Sequence, residues 1–247
     1  METRTNPLLT IPGAIIIGCA IIALAIIWTN KPATSGTAAV GALPQPEITL
    51  AKVTAADHIL GNPNAKIKIV EYSDPSCPYC KLFHPTMERI ISEYGPSGDV
   101  AWIYRHFPLD IADAEGRVLH PNANHEGQAT ECAASLGGNE KFWQYLSKLY
   151  EITPSVTGQT PDGLDQKQLP IIAAGVGIDV KAFNECLGSG KFRDKVAAGY
   201  VEGLNAGVTG TPASFIVTPT GSIIPIMGAQ PYATVKAAID AILTESK

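Results

Sequence analysis

Two cysteines in the order Cys-Pro-Tyr-Cys, Cys77 and Cys80, stand where an apolar β-type run, IKIVEY (67–72), meets a helical pattern that begins at the cysteines themselves. Thiols at this spacing can exchange disulfides, supply half of a zinc site, or form an inert staple. Exchange needs a thiolate, and an unperturbed thiol is mostly protonated at neutral pH. A helix N-terminus changes this, because its unpaired N–H groups and its dipole favour an anion. Pro78 suits the first helical turn, where a missing N–H costs nothing. Cys80 then lies one turn on, able to close a disulfide with Cys77 and to reopen it through a mixed intermediate. Cys77 is expected to be the exposed, attacking sulfur and Cys80 the resolving one. A zinc site needs a second pair of ligands, and none of the five histidines forms a pair at helical spacing. A staple closing so small a loop stabilises little. The spacing therefore favours redox exchange, with no metal and no cofactor.

The elements that must position this pair follow from periodicity. Strand-like runs are IKIVEY (67–72), VAWIYR (100–105), SFIV (214–217) and SIIPI (222–226), and TPTG between the last two predicts a hairpin. The helix opening at the cysteines should end at Gly95, with a kink at Pro85 that frees the carbonyl of Lys81. Helical patterns also cover HEGQATECAASLG, EKFWQYLSKLY, AFNECLGSGKFRDKVAAGYVEGLNAG and YATVKAAIDAIL. Strand, helix, strand, a long helical stretch, hairpin and helix describe a small mixed α/β sheet with a helical insertion.

Net charge is −5 with no basic block, which excludes nucleic acid as a partner, since phosphate neutralisation needs clustered Lys and Arg. Residues 11–28, IPGAIIIGCAIIALAIIW, carry no charge, and eighteen residues of helix span about 27 Å, close to the hydrocarbon thickness of a bilayer. Residues 1–30 are read as a single transmembrane anchor. A cleaved signal peptide and a lipoprotein signal ending at Cys19 are the alternatives. Residues 31–50, rich in Ala, Thr, Gly and Pro, read as a flexible linker, and 51–247 as the globular part.

The stretches VEYSDPSCPYCKLFHPTMERII, WIYRHFPL, ECAASLGGNEKFWQYLSKLY, FNECLGSG and GVTGTPASFIV, in this order, resemble the DsbA-type family of extracytoplasmic thiol–disulfide oxidoreductases, over roughly residues 52–245. The membrane anchor resembles that of its tethered members. The resemblance implies a thioredoxin-like fold interrupted by a helical domain, here near 112–195. It implies a cis bond at Thr211-Pro212 lying against the cysteines, with the Thr211 backbone pairing with an extended substrate segment. It places a buried acid at Glu71, able to relay the proton of Cys80, whereas an outward-facing strand residue is the plain alternative. Asp74 is read as shaping the turn. The dipeptide Pro78-Tyr79 departs from the Pro-His of strongly oxidising relatives, and Tyr79 offers no cationic charge. Some relatives carry counterparts of both Cys132 and Cys186, and a structural disulfide between them is expected over free thiols or a second redox pair. His106 is read as a packing histidine, and His120 and His125 as lacking any ligand set.

The expected activity is donation of the Cys77–Cys80 disulfide to cysteines of unfolded secreted or membrane proteins. The chain is expected to be monomeric, with its catalytic domain on the extracytoplasmic side of the cell membrane, and to be reoxidised by a membrane quinone-linked partner. A disulfide reductase, an isomerase, and a non-enzymatic thioredoxin-fold module that holds unfolded chains are the competing readings.

Overall fold

The alternation in IKIVEYS organises the molecule. In strand β2 (Ile67–Ser73) Ile67, Ile69 and Glu71 point to one face of the sheet, and Val70 and Tyr72 to the other. The computed structural model describes residues 48–112, 114–154 and 163–245. The expected anchor and nearly all of the linker lie outside these residues. Among the described residues no helix is long and apolar enough to cross a membrane.

The sheet is completed by β1 (His58–Gly61), β3 (Val100–His106), β4 (Ala213–Val217) and β5 (Ile223–Met227), in the order β1-β3-β2-β4-β5. Only β2 and β3 run parallel, and the other pairs are antiparallel. The crossover between them is helix α1 (Pro78–Tyr94), which starts at Cys77 and ends at Gly95. It runs unbroken through Pro85. Between β3 and β4 the chain forms α2 (Ala123–Ile152), α3 (Leu169–Gly175), α4 (Val180–Gly188) and α5 (Arg193–Asn205), and α6 (Tyr232–Glu245) closes the described chain. The architecture is thus an α/β sheet with a helical insertion.

The helix pair expected over 125–150 is present as the two arms of α2, parted at Gly138 (φ 77°), where a left-handed residue interrupts the ladder. One helical stretch differs from the sequence reading. The single run expected over 182–207 is two helices, α4 and α5, separated at Gly190 (φ 66°).

Each face has its own core. The Ile67 face packs Phe83, Met87, Trp102 and Tyr104 under α1 and α6, and this core continues into the insertion through Phe142, Leu146 and Phe183. The Val70 face packs Tyr72, Ile103, Phe107 and Phe215 beneath α5 and the segment from Ile48 to Val53. α5 approaches closely: a Cβ at Gly199 would lie 2.3 Å from the His106 carbonyl oxygen. Cys132 on α2 and Cys186 on α4 are disulfide-bonded, with Cα atoms 5.9 Å apart. Lys81 Nζ donates to the carbonyls of Glu151 and Thr153, which ties α1 to the last turn of α2.

Candidate active site

Cys77 is the N-cap of α1, in extended conformation, with Pro78 at the first helical position. Its Sγ lies 3.5 Å from the carbonyl oxygen of Thr211, to which the thiol donates. Thr211-Pro212 is a cis peptide bond. The loop before β4 therefore covers the sulfur, and this corrects one expectation: Cys77 is 3% exposed, not an exposed group. The neighbour that does face solvent is Tyr79, at 62%, with Leu82 beside it on α1. Cys80 is completely buried, and the backbone N–H of Asp74 lies 3.5 Å from its Sγ. Both are free thiols, so the site is in its dithiol form.

The two sulfurs differ in acidity. The hydrogen bonds from the Cys80 thiol and backbone N–H outweigh burial and bring the Cys77 thiol down to about 7. Burial, and the negative charge of Cys77, push Cys80 well above the ordinary thiol value. One sulfur is thus suited to attack and to leave as a thiolate, and the other to remain protonated.

Glu71 lies on the α1 side of the sheet, 2% exposed, with Oε2 accepting the Trp102 indole N–H at 2.8 Å. The period of two in β2 puts it there, on the face of Ile67 and Ile69 rather than outward. Burial raises its carboxyl to about 7, against the hydrogen bonds from Ser73 and Trp102. Its charge is among those that keep Cys80 protonated.

A second group of acids holds the loop from Ser73 to Cys77. Asp74 is fully buried, and its carboxylate accepts the backbone N–H groups of Ser76 (2.7 Å) and Leu109 (2.9 Å) and the Nδ1 of His120 (2.8 Å). Ser76 Oγ donates to Glu126 on α2 at 2.7 Å, and Gln166 Nε2 donates to the other oxygen of Glu126 at 2.9 Å. Burial raises Glu126 to about 7. Tyr150 OH bridges Ser73 Oγ and the Asp74 carbonyl, each at 3.1 Å. The insertion thus reaches the cysteine loop at Glu126 and Tyr150, which sequence reasoning missed. No signal in the sequence set them apart, because the helix that carries them has polar residues throughout.

The fold also gathers His58, His106 and Glu131, three residues with the donor types of a metal site. Glu131 Oε1 accepts from His58 Nε2 (2.9 Å) and His106 Nε2 (3.1 Å), and Oε2 accepts from Lys195 Nζ (2.6 Å). Against its burial, the hydrogen bonds and charges of His106 and His58 hold Glu131 far below the usual carboxylate range. The carboxylate is met by protein donors on both oxygens, so the cluster is an ion-pair hub joining β1, β3, α2 and α5.

A family model described as "Thioredoxin" matches residues 53–241. Among curated proteins, the chain is 30% identical over 129 residues to a Na(+)/H(+) antiporter NhaA 1 of Mycolicibacterium gilvum, a match covering 52% of this chain and 18% of that one. It therefore spans less than a fifth of the length of the relative it matches there. A Rickettsia conorii protein named as a protein-disulfide oxidoreductase is 24% identical over 198 residues, 79% of this chain and 64% of its own. Among solved structures, alpha-DsbA1 of Wolbachia pipientis superposes with a TM-score of 0.64 at 24% identity, covering 78% of this chain and 94% of that one.

Proposed function

The chain belongs to the thioredoxin family, and we propose that it works as a thiol–disulfide oxidoreductase that donates the Cys77–Cys80 disulfide to cysteines of unfolded secreted or membrane proteins. The observation that carries this reading is the split between the sulfurs: Cys77 held at about 7 beneath the Thr211 carbonyl, and Cys80 buried and held protonated.

In the donating direction a substrate thiolate attacks Cys77 Sγ of the oxidised pair. The Cys77–Cys80 bond breaks, a substrate–Cys77 bond forms, and Cys80 leaves as a thiolate that takes up a proton. Glu71, protonated below about 7 and electrostatically coupled to Cys80, is placed to supply it. A second substrate thiolate then attacks the substrate sulfur of the mixed disulfide and releases the Cys77 thiolate, the better leaving group of the two. The substrate loses two electrons and the protein gains them. Thr211 presents its backbone beside Cys77 to an extended segment, and Tyr79 and Leu82 offer apolar surface next to the sulfur.

The proposal extends to place and partners. Residues 11–28 tether a monomer to the cell membrane, the catalytic unit faces the extracytoplasmic side, and a quinone-linked membrane protein withdraws the electrons. The apolar run and the redox chemistry support this.

The test is the equilibrium potential of the Cys77–Cys80 pair in the full chain against glutathione buffers. A value near −120 mV, roughly that of a strong oxidant, supports donation, whereas one near −270 mV, roughly that of thioredoxin, assigns a reductase instead. Cys77→Ser abolishes oxidation of a dithiol peptide, and undiminished cellular activity in that variant would leave only the holding module.

A further inference from the structure

Asp74 sets the cysteine site a problem. It is a fully buried carboxylate three residues before Cys77, and its negative charge opposes the Cys77 thiolate. Pro78 and Tyr79, between the cysteines, bring no positive charge. The ionisable donor in contact with the Asp74 carboxylate is His120, from the stretch ahead of α2, with Nδ1 2.8 Å from Oδ2. That contact is built. The His120 backbone N–H donates to the Leu109 carbonyl at 3.0 Å, and the Leu109 N–H donates to the same Asp74 oxygen at 2.9 Å. The side chain is only 13% exposed, so the pair meets in a medium where charge is weakly screened.

We propose that His120 is a positioning residue for the exchange reaction: as an imidazolium it neutralises Asp74 and supplies the positive charge that stabilises the Cys77 thiolate. This rests on the oxidoreductase reading given above. Burial opposes protonation of His120, yet the hydrogen bond and charge of Asp74, with the charges of Cys77 and Glu126, raise its pKa overall. The ionisable groups whose charges act on it are Asp74, in direct contact, and Cys77 and Glu126, all anionic when ionised, with Asp110 in turn coupled to Asp74. The coupling is reciprocal: if His120 favours the thiolate, the thiolate favours protonated His120. Closing the Cys77–Cys80 disulfide removes that anion, so His120 must titrate at lower pH in the disulfide form than in the dithiol form.

Two measurements on the full chain test this. The first is the thiolate absorbance of reduced protein near 240 nm against pH in wild type, His120→Asn, and Asp74→Asn/His120→Asn. Asn keeps a donor for Asp74 but carries no charge. The Cys77 titration is expected to rise by roughly half a unit or more in His120→Asn and to return toward wild type once Asp74 is also neutral. A Cys77 titration unmoved in a folded His120→Asn protein overturns the proposal and leaves His120 a hydrogen-bonding residue alone. The second covers the case in which the variant does not fold: the imidazole resonances of wild-type His120 are followed against pH in the dithiol and disulfide forms. Equal midpoints overturn the proposal, and a lower midpoint in the disulfide form supports it. Failure of the oxidoreductase reading is seen separately, as wild-type protein that exchanges no disulfide with a dithiol peptide, whichever way these titrations fall.

Discussion

Replacing Glu71 by Gln isolates the cost of a buried acid behind the cysteines. Gln keeps an oxygen for the Trp102 indole N–H, which donates to Glu71 Oε2 at 2.8 Å, but cannot ionise. In the native protein burial lifts the Glu71 carboxyl from an ordinary 4.5 to about 7. The raised value means that the native state binds more protons than the unfolded chain between these limits. The stabilisation is therefore fully present below about 4.5 and is lost as pH rises through about 7. At 1.36 kcal/mol per unit the full displacement is worth about 3 kcal/mol, of which about 2–3 kcal/mol is lost between pH 5 and pH 8. Glu126 acts in the same direction, and His120 and Glu131 titrate too, but all three are common to wild type and variant and cancel in the difference. Unfolding in urea, followed by far-ultraviolet circular dichroism, would be done on the disulfide form so that neither active-site thiol titrates. This loses only the contribution of the Cys77 charge, the smallest of the four that set Glu71. Relative to wild type, Glu71→Gln should gain about 2–3 kcal/mol on going from pH 5 to pH 8. A stability difference that is the same at both pH values would refute the reasoning, because it would mean that Glu71 ionises in the folded protein as readily as in the unfolded chain.

Two further predictions concern the frame. Cys132→Ala/Cys186→Ala opens a crosslink with a sequence separation of 54 and should cost about 4 kcal/mol in urea unfolding on the chain-entropy model, while oxidation of a dithiol peptide by Cys77 and Cys80 persists. Gly199→Ala places a methyl group 2.3 Å from the His106 carbonyl oxygen, so α5 must shift off β3, and the variant should lose about 1–3 kcal/mol.

What the sequence made legible is what local patterns encode. IKIVEY alternates with a period of two, Pro78 marks the first turn of α1 and Gly95 its end, and TPTG joins a hairpin. The strand β1 went unread because His58–Gly61 is four residues long, begins with a histidine and ends in glycine, and owes its state to pairing with β3. Gly190 broke a helical pattern that was expected to be continuous, because hydrophobic spacing does not report a single residue at positive φ. At the site, the cysteines, Glu71 and Thr211-Pro212 could be named from motif and resemblance. Asp74 could be placed in its turn but not as the acceptor for His120, since that contact joins two loops. Glu126 reaches Ser76 from another helix, and the grouping of His58, His106 and Glu131 spans two strands and α2. Such contacts depend on how elements pack, and no spacing in the chain announces them.

The three buried glutamates show why packing had to be known before the chemistry could be argued. Burial alone would raise all three, because each leaves water. Glu131 receives an ammonium from Lys195 and two imidazoles, and stays ionised far below the usual range. Glu71 receives an indole N–H, and Glu126 a hydroxyl and an amide, all neutral donors, so burial prevails and both rise to about 7. The hydrogen bonds and charges of His106 and His58 at Glu131, which Glu71 and Glu126 lack, separate the two outcomes. The acids beside the cysteines are thereby left free to change protonation at the pH where Cys77 also titrates. The acid that joins β1 and β3 to the insertion stays in its charged form.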